Sequence, residues 1–211
     1  NITARQNYFF NNTFGAALSY LHSSVFSHNQ YANSTASAGS IALELAQDDA
    51  NNLFHNETIL ESMFGLRLGS AGGALRNNFT RLNISRVSGL SALAEIESLQ
   101  DSNNTFLNLT IVNSSTNNIT SSGTSFIELI NSTINESSVS ALSSSNVTLK
   151  YYLSVFTGTS ATAGLASVTL NYSDSRSRVF LNSTSDSSGW LNLTAVPQKV
   201  WNSSGAFLYG P

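Results

Sequence analysis

The chain has 211 residues, of which 41% are hydrophobic and 10% are charged, with no cysteine and a formal net charge of −3. This hydrophobic content is enough to bury a core and argues against a disordered chain. Two lysines and seven arginines form no basic stripe for nucleic acid. The absence of cysteine excludes thiolate metal sites, cysteine nucleophiles and disulfides.

The first 12 residues are predicted to form an extended N-terminal arm. Its large apolar side chains are Ile2, Tyr8, Phe9 and Phe10. An apolar terminal segment can complete the core of its own molecule, or it can add a strand to a neighbouring molecule. Residues 1–10 are therefore a candidate donor strand, and residues 200–209 are the alternative. The chain starts without a charged and apolar leader, so we expect a secretion signal to have been removed.

Residues 13–102 are predicted to form a mixed region with two or three helices. Apolar residues recur there at spacings of three and four, as in Phe14, Ala17, Leu18 and Leu21, which is the period of an amphipathic helix. Ser88 is a candidate helix cap. The segments with this pattern are 13–28, 40–54, 58–68 and 88–99. A tight turn is expected at 69–73, and short strands at Asn78 and Asn83.

Residues 103–211 are predicted to form a β-sandwich region. The pattern is clearest at 146–155, where Val147, Leu149 and every second residue after them are apolar and the others are mostly polar. Strict alternation is the period of a half-buried strand. Further strands are predicted at 124–130, 165–172, 177–181, 189–194 and 200–209. The predicted fold is mainly β, with an Ig-like or transthyretin-like antiparallel sandwich in the C-terminal half and helices in the N-terminal region.

A parallel β-helix is the alternative for the middle of the chain. Apolar strands begin near Leu109, Ile127 and Val147, at intervals of 18 and 20 residues. These intervals are close to the length of one coil of such a helix.

Seventeen Asn-x-Ser/Thr acceptor sites (sequons) for N-glycosylation occur in the chain, whereas its 25 Asn and 56 Ser or Thr residues would give about seven by chance. In eight of them the middle residue is Ile, Phe, Leu, Val or Tyr. Because a strand has a period of two, such a sequon places Asn and Ser/Thr in solvent and the apolar residue in the core. Sugars would hydrate a surface that is poor in charge. The predicted glycosylation sites are Asn1, Asn11, Asn33, Asn56, Asn78, Asn83, Asn103, Asn108, Asn113, Asn118, Asn131, Asn135, Asn146, Asn171, Asn182, Asn192 and Asn202.

Motifs for catalysis are absent from the sequence. Its three histidines form neither a Gly-x-Ser-x-Gly triad setting nor a His-Glu-x-x-His pair, and no glycine-rich phosphate loop follows a strand. Glu128 and Glu136 lack the surrounding Asp and basic residues of a β-helix lyase site. Lys150 is predicted to be an exposed lysine, with a Lys–Asn isopeptide bond as the alternative. We expect no enzyme activity, no metal and no cofactor other than covalent N-linked glycans.

The C-terminal 65 residues contain a pattern of small and apolar residues followed by a turn. Gly164, Ala166, Val168 and Leu170 form a G-x-A-x-V-x-L strand pattern, and Thr184, Asp186 and Gly189 give a loosely spaced T-x-D-x-x-G turn. These patterns resemble the carboxypeptidase-regulatory-like family of transthyretin-type sandwiches. The resemblance implies a sandwich with an adhesive or structural role and no chemistry.

The composition is rich in Ser, Thr and Asn, free of Cys and crowded with sequons. Secreted eukaryotic glycoproteins of this size usually carry disulfides, so a prokaryotic surface is favoured. The composition resembles that of Sulfolobales-type archaeal cell-surface glycoproteins, and among them the thread-type filament subunits joined by donor-strand complementation. This resemblance implies an extracellular structural subunit whose partners are copies of itself, and other cells or surfaces.

Other functions compatible with the sequence are an S-layer, adhesin or viral surface component and, third, a β-helix carbohydrate-active enzyme. The sequence has no run of 18 apolar residues, so we expect no membrane span. Nucleic acid is not an expected partner.

Overall fold

The chain folds as a parallel β-solenoid. The computed structural model describes residues 1–35, 37–69, 73–96, 102–114, 117–173, 179–191 and 194–209. Within these ranges it contains 24 strands and one 3₁₀ turn at Glu136–Ser138, with no α-helix. The solenoid makes about five turns, and strands of successive turns pair in parallel. The prediction of a mainly β protein is therefore confirmed.

The strands in chain order are β1 (Thr3–Arg5), β2 (Tyr8–Phe10), β3 (Phe14–Leu18), β4 (Val25–Ser27), β5 (Gln30–Ser34), β6 (Ile41–Leu45), β7 (Asp49–Ala50), β8 (Leu53–His55), β9 (Thr58–Leu68), β10 (Ala74–Leu75), β11 (Asn78–Thr80), β12 (Asn83–Ile96), β13 (Ser102–Leu107), β14 (Thr110–Val112), β15 (Asn117–Ser122), β16 (Ser125–Ile130), β17 (Val139–Ala141), β18 (Asn146–Leu153), β19 (Gly158–Ser160), β20 (Ala163–Gly164), β21 (Thr169–Ser173), β22 (Val179–Thr184), β23 (Thr194–Asn202) and β24 (Gly205–Leu208).

The first sheet has nine strands, in the order β1-β4-β8-β11-β13-β16-β18-β23-β24. Its first seven strands are parallel, and β23 and β24 are added antiparallel. One outward column of this sheet contains Thr3, Val25, Leu53, Asn78, Thr105, Glu128 and Thr148. The intervals between these residues run from 20 to 28, which is the length of each coil.

The second sheet bends at a corner because β9 and β12 run over both of its limbs. The residues Thr58–Ser62 of β9 pair with β5, and Phe64–Leu68 pair with β6. β12 follows β9 around the same corner, with a register shift between Val87 and Ser91. A cross-section of the solenoid therefore has three walls: the first sheet and the two limbs of the second.

Most corners are made by single residues in the left-handed region of the backbone. One column of such residues contains Gln6, His28, Asn56, Arg81, Asn108 and Asn131, each with a φ between 49° and 58°. These residues lie between the first sheet and the first limb of the second. A second column, between the two limbs, contains Asn11, Asn33, Glu61, Arg86 and Asn113. Asparagine tolerates this conformation better than most residues do.

Identical or similar side chains form columns inside the solenoid. Phe26, Phe54, Phe79 and Phe106 stack with ring centroids 4.6–4.7 Å apart. Asn52, Asn77 and Asn104 form a buried ladder in which each side-chain Oδ1 accepts a hydrogen bond from the backbone N–H one coil earlier. These three bonds, from Ser24, Asn52 and Asn77, are 2.8–3.0 Å long. The ladder satisfies backbone groups at a corner that strand pairing leaves open.

The predicted helices are wrong. The segments 13–28, 40–54, 58–68 and 88–99 contain or consist of strands wherever the structure describes them. Each corner residue delays the inward alternation by one position, so inward residues are spaced by two along a wall and by three across a corner. Phe79, Leu82, Ile84 and Val87 are buried with this mixed spacing. A mixture of twos and threes resembles the helical spacing of threes and fours.

The predicted antiparallel sandwich is also wrong. β13, β15, β16 and β17 pair in parallel with strands of neighbouring coils. Antiparallel pairing occurs among β18 to β24, as hairpins and as the extension of the first sheet. The parallel β-helix that the 18- and 20-residue intervals indicated is the observed fold of this region. Alternation alone shows that a strand is half-buried but not which strand it pairs with.

Candidate functional site

Three sequons on the first sheet have the geometry expected of a glycosylated strand. Asn78, Asn103 and Asn146 lie on the outer face, and the middle residues of their sequons, Phe79, Asn104 and Val147, are buried. The Thr two positions later in each sequon is half-buried on the same outer face. Asn83 starts β12 on the next wall with Ile84 buried beneath it. Each of these asparagines can carry a sugar without disturbing the core.

Six sequon asparagines occupy left-handed corner positions. Asn56, Asn108 and Asn131 lie in one corner column, and Asn11, Asn33 and Asn113 lie in the other. In the first column, Asn131 Nδ2 donates to Asn108 Oδ1 at 2.7 Å. The corner conformation by itself favours asparagine, which gives these six positions a structural reason in addition to glycosylation.

The exposure of the sequon asparagines varies. Ten are exposed: Asn1, Asn11, Asn78, Asn83, Asn103, Asn113, Asn131, Asn135, Asn171 and Asn182. Five are partly buried: Asn33, Asn56, Asn108, Asn146 and Asn202. Asn118 is buried, and Asn192 lies outside the described residues.

Asn118 differs from the others because it lies in a column with no free space. It is 4% exposed and continues the column of Gly15, Ala42, Gly65 and Ala92 on the second limb. A Cβ atom added at Gly15 or Gly65 would collide with the carbonyl oxygen of the next coil. A sugar on Asn118 does not fit this fold, although the sequence assigned it the same status as the other sequons.

The four apolar residues of the predicted donor strand lie in the first coil of their own chain. β1 pairs with β4, and β2 pairs with β5. Ile2, Tyr8 and Phe10 are exposed, whereas Phe9 stacks on Tyr31 with the ring centroids 5.1 Å apart. The alternative donor, 200–209, forms part of the β23–β24 hairpin.

The first sheet ends at strands that each have one hydrogen-bonded neighbour among the described residues. Gln6 N donates to Ser27 O at 3.0 Å, and Val25 N donates to Ile2 O at 2.8 Å. Since N–H groups alternate along a strand, the N–H of Arg5 points away from β4. At the opposite end, β24 pairs with β23, and Leu208 is 73% exposed. Both ends therefore present an open strand edge.

The acidic residues considered for catalysis are held in ion pairs. Lys150 Nζ donates to Glu128 Oε1 at 2.8 Å, so this lysine is half-buried in an ion pair and not simply exposed. Lys199 Nζ donates to Glu136 Oε2 at 2.8 Å. Within the described ranges, no group of three or more His, Asp or Glu residues could hold a metal ion.

A cleft of about 470 Å³ separates the turn at Glu136–Ser138 and β17 from the β23–β24 hairpin. The Lys199–Glu136 ion pair bridges it, and Lys199 Nζ lies 4.8 Å from the centre of the Trp201 ring. Trp201 is 6% exposed, so its indole face is not available for stacking on a ligand. These contacts attach the hairpin to the last coil.

Sequence reasoning missed a buried carboxylate at the first corner. Glu57 Oε1 accepts hydrogen bonds from Asn29 N at 3.5 Å and Asn29 Nδ2 at 3.2 Å, in the manner of a ladder asparagine. Burial raises the pKa of the Glu57 carboxyl to about 7, and hydrogen bonds from Asn29 and Tyr31 oppose this shift. The same burial, together with Glu57, raises the pKa of the Tyr31 hydroxyl. Glu57 is the middle residue of the Asn56 sequon, and only its inward corner position could have indicated its burial.

Comparison of the chain with protein-family models, with curated proteins and with solved structures finds no match. Among the residues that the structure describes, no helix is long and apolar enough to cross a membrane.

Proposed function

We propose that this protein is a heavily N-glycosylated structural subunit of an extracellular archaeal surface filament that is built from copies of itself. The observation that carries this proposal is the first sheet, which runs through the whole described solenoid and has an open strand edge at each end. An open edge is a template for strand addition by another chain. Joining β24 of one copy to β1 of the next would continue the sheet from one molecule to the next.

This joint differs from the donor-strand exchange suggested by the sequence. Residues 1–10 already pair in parallel with β4 and β5 of their own chain, so no unpaired arm is left to donate. The proposed contact is between edges and is heterologous, because β1 and β24 are different surfaces. A heterologous contact that does not close into a ring produces a filament.

The apolar side chains of the first coil support this assembly. Ile2, Tyr8, Phe10 and Phe14 are each at least 45% exposed. Contiguous exposed apolar residues commonly mark protein contacts. The exposed sequons Asn78, Asn83, Asn103 and Asn131 lie instead on the walls and corners of the solenoid, where sugars would prevent sideways association.

A proline at the edge position of β1 tests the joint. Arg5→Pro removes the N–H that points away from β4 and leaves the Gln6–Ser27 hydrogen bond in place. Arg5→Ala is the matched control, because it removes the same charged side chain and keeps the N–H. We expect the proline variant to remain folded by circular dichroism and to fail to form filaments in negative-stain microscopy, while the alanine variant assembles. Filaments of normal length from folded Arg5→Pro protein would refute the edge joint.

The other candidates give different results in the same experiments. An S-layer component forms a two-dimensional lattice in the microscope, and an adhesin or viral surface component binds a cell or particle without forming filaments. A carbohydrate-active enzyme would cleave polysaccharides, and Glu128→Gln would then abolish the activity. We place the structural function first because Glu128 and Glu136 are both occupied by lysines.

A further inference from the structure

Two large apolar side chains point into solvent from the middle of the first sheet. Among the described residues of β4, β8, β11, β13 and β16, these are Leu53, which is 41% exposed, and Phe126, which is 38% exposed. The neighbouring residues Phe54 and Ile127 point inward and are buried. Neither strand lies at an open end of the sheet, so the edge joint does not account for these side chains.

Both side chains are direct neighbours of sequon asparagines. Phe126 is in register with Asn103 on one side and with Asn146 on the other, and Leu53 is in register with Asn78. Neighbouring strands are about 4.8 Å apart, and in-register side chains on one face point the same way. The Phe126 ring therefore stands between two possible glycan attachment points that are 43 residues apart in the sequence.

The first sugar of an N-linked glycan has a shape that fits this position. It is attached at Asn Nδ2, which places its ring beside the outer end of the side chain on the next strand. One face of a pyranose ring presents C–H groups, and covering an apolar side chain with this face removes both surfaces from water. The hydroxyl groups at the rim of the sugar remain hydrated.

We propose that Phe126 is the packing platform for the first sugar of the glycans on Asn103 and Asn146, and that Leu53 has the same role for the glycan on Asn78. This inference rests on the proposed glycosylation of the first sheet. It assigns the wall of the solenoid a specific sugar-binding function: the glycans lie along the sheet and cover it, and their first residues are held in place by apolar side chains.

Thermal unfolding in two backgrounds tests the Phe126 platform. The chain is expressed in a host with an N-glycosylation pathway, and peptide mapping by mass spectrometry gives the occupancy of Asn103 and Asn146. Phe126→Thr is then measured in the parent chain and in an Asn103→Gln, Asn146→Gln background. Val112→Thr is the matched control, because Val112 is 39% exposed on another wall and its register partner is Ser85.

We expect Phe126→Thr to lower the Tm of the glycosylated parent by about 2–4 °C more than that of the glutamine background. Val112→Thr should shift both backgrounds equally. If Asn103 or Asn146 is occupied and the two Phe126→Thr shifts are equal, the platform is refuted and the proposed glycosylation stands. If both asparagines are bare, the platform and the glycosylation of this wall are both refuted.

Discussion

The parallel coils and the antiparallel hairpins after them bury their side chains to different extents. The coils contain nearly all of the main apolar cluster of the described residues, and Trp201 is its one member beyond β18. In the hairpins, β19 and β20 are exposed throughout, and β21 is only partly buried at alternate positions. Stability is therefore concentrated in the stacked columns of the coils. The hairpins attach to this body at a few points, among them Trp201 and the Lys199–Glu136 ion pair.

This difference follows from how each region pairs its strands. A hairpin strand meets a partner that is close in sequence, whereas each coil strand must find its partner 20 to 28 residues away. The coils make this pairing specific with columns of like residues, such as the phenylalanine stack and the asparagine ladder. A coil residue therefore supports two neighbouring coils, whereas a hairpin residue supports mainly its own pair.

The comparison predicts a large loss of stability from a single truncation in the phenylalanine stack. Phe79→Ala removes a fully buried ring that stacks on Phe54 and Phe106. We expect the free energy of unfolding to fall by about 3–5 kcal/mol, measured by urea denaturation. Leu170→Ala, at a half-buried position in β21, should cost about 1 kcal/mol or less. Equal costs for the two variants would contradict the division between coils and hairpins.

A second prediction concerns the pH dependence of the coils. Burial raises the pKa of Glu57 from its ordinary value of 4.5 to about 7, so between these values the folded chain holds a proton that the unfolded chain has lost. The associated stability is complete below pH 4.5 and is lost as the pH rises to about 7. Glu57→Gln keeps the acceptor for Asn29 without a charge. We expect this variant to lack the loss and to exceed the parent by about 3 kcal/mol at pH 8.

Urea denaturation at several pH values between 4 and 8 measures this effect. A Glu57→Gln variant whose stability changes with pH as steeply as that of the parent would show that Glu57 is not the titrating group.

The smallest of the three effects separates adjacent asparagines. Asn77→Ala removes a buried ladder residue and leaves the backbone N–H of Asn52 without its acceptor. We expect a loss of about 2 kcal/mol in the free energy of unfolding. Asn78→Ala changes the next residue, which is exposed and has no place in the ladder, so its cost in the unglycosylated chain should be close to zero. Similar losses from both variants would mean that the ladder contributes little to stability.

The strand geometry of the sequons could be predicted from the sequence, but the identity of the fold could not. Asn146-Val147-Thr148 has the predicted arrangement, with Val147 buried and the other two on the outer face. The same alternation serves a sandwich and a solenoid, because it describes one strand and not its partner. The interval between apolar strands was the more informative signal, since it measures the length of a coil.

The corners explain both the wrong helices and part of the asparagine content. A left-handed residue such as Arg81 or Arg86 inserts one extra position into the alternation, and single-sequence patterns then resemble a helix. The sequence gives no direct sign of which asparagines turn corners, which form the buried ladder and which face solvent. Asn77 and Asn78 show the difficulty, because they are adjacent and have opposite environments.

Site-resolved glycan mapping of the protein isolated from its native cells tests the central claim most directly. A sugar-coated solenoid predicts glycans at the exposed asparagines Asn78, Asn83, Asn103 and Asn131. It predicts none at Asn118, which is enclosed in the column of Gly65 and Ala92. A bare chain, or a glycan at Asn118, would contradict the account.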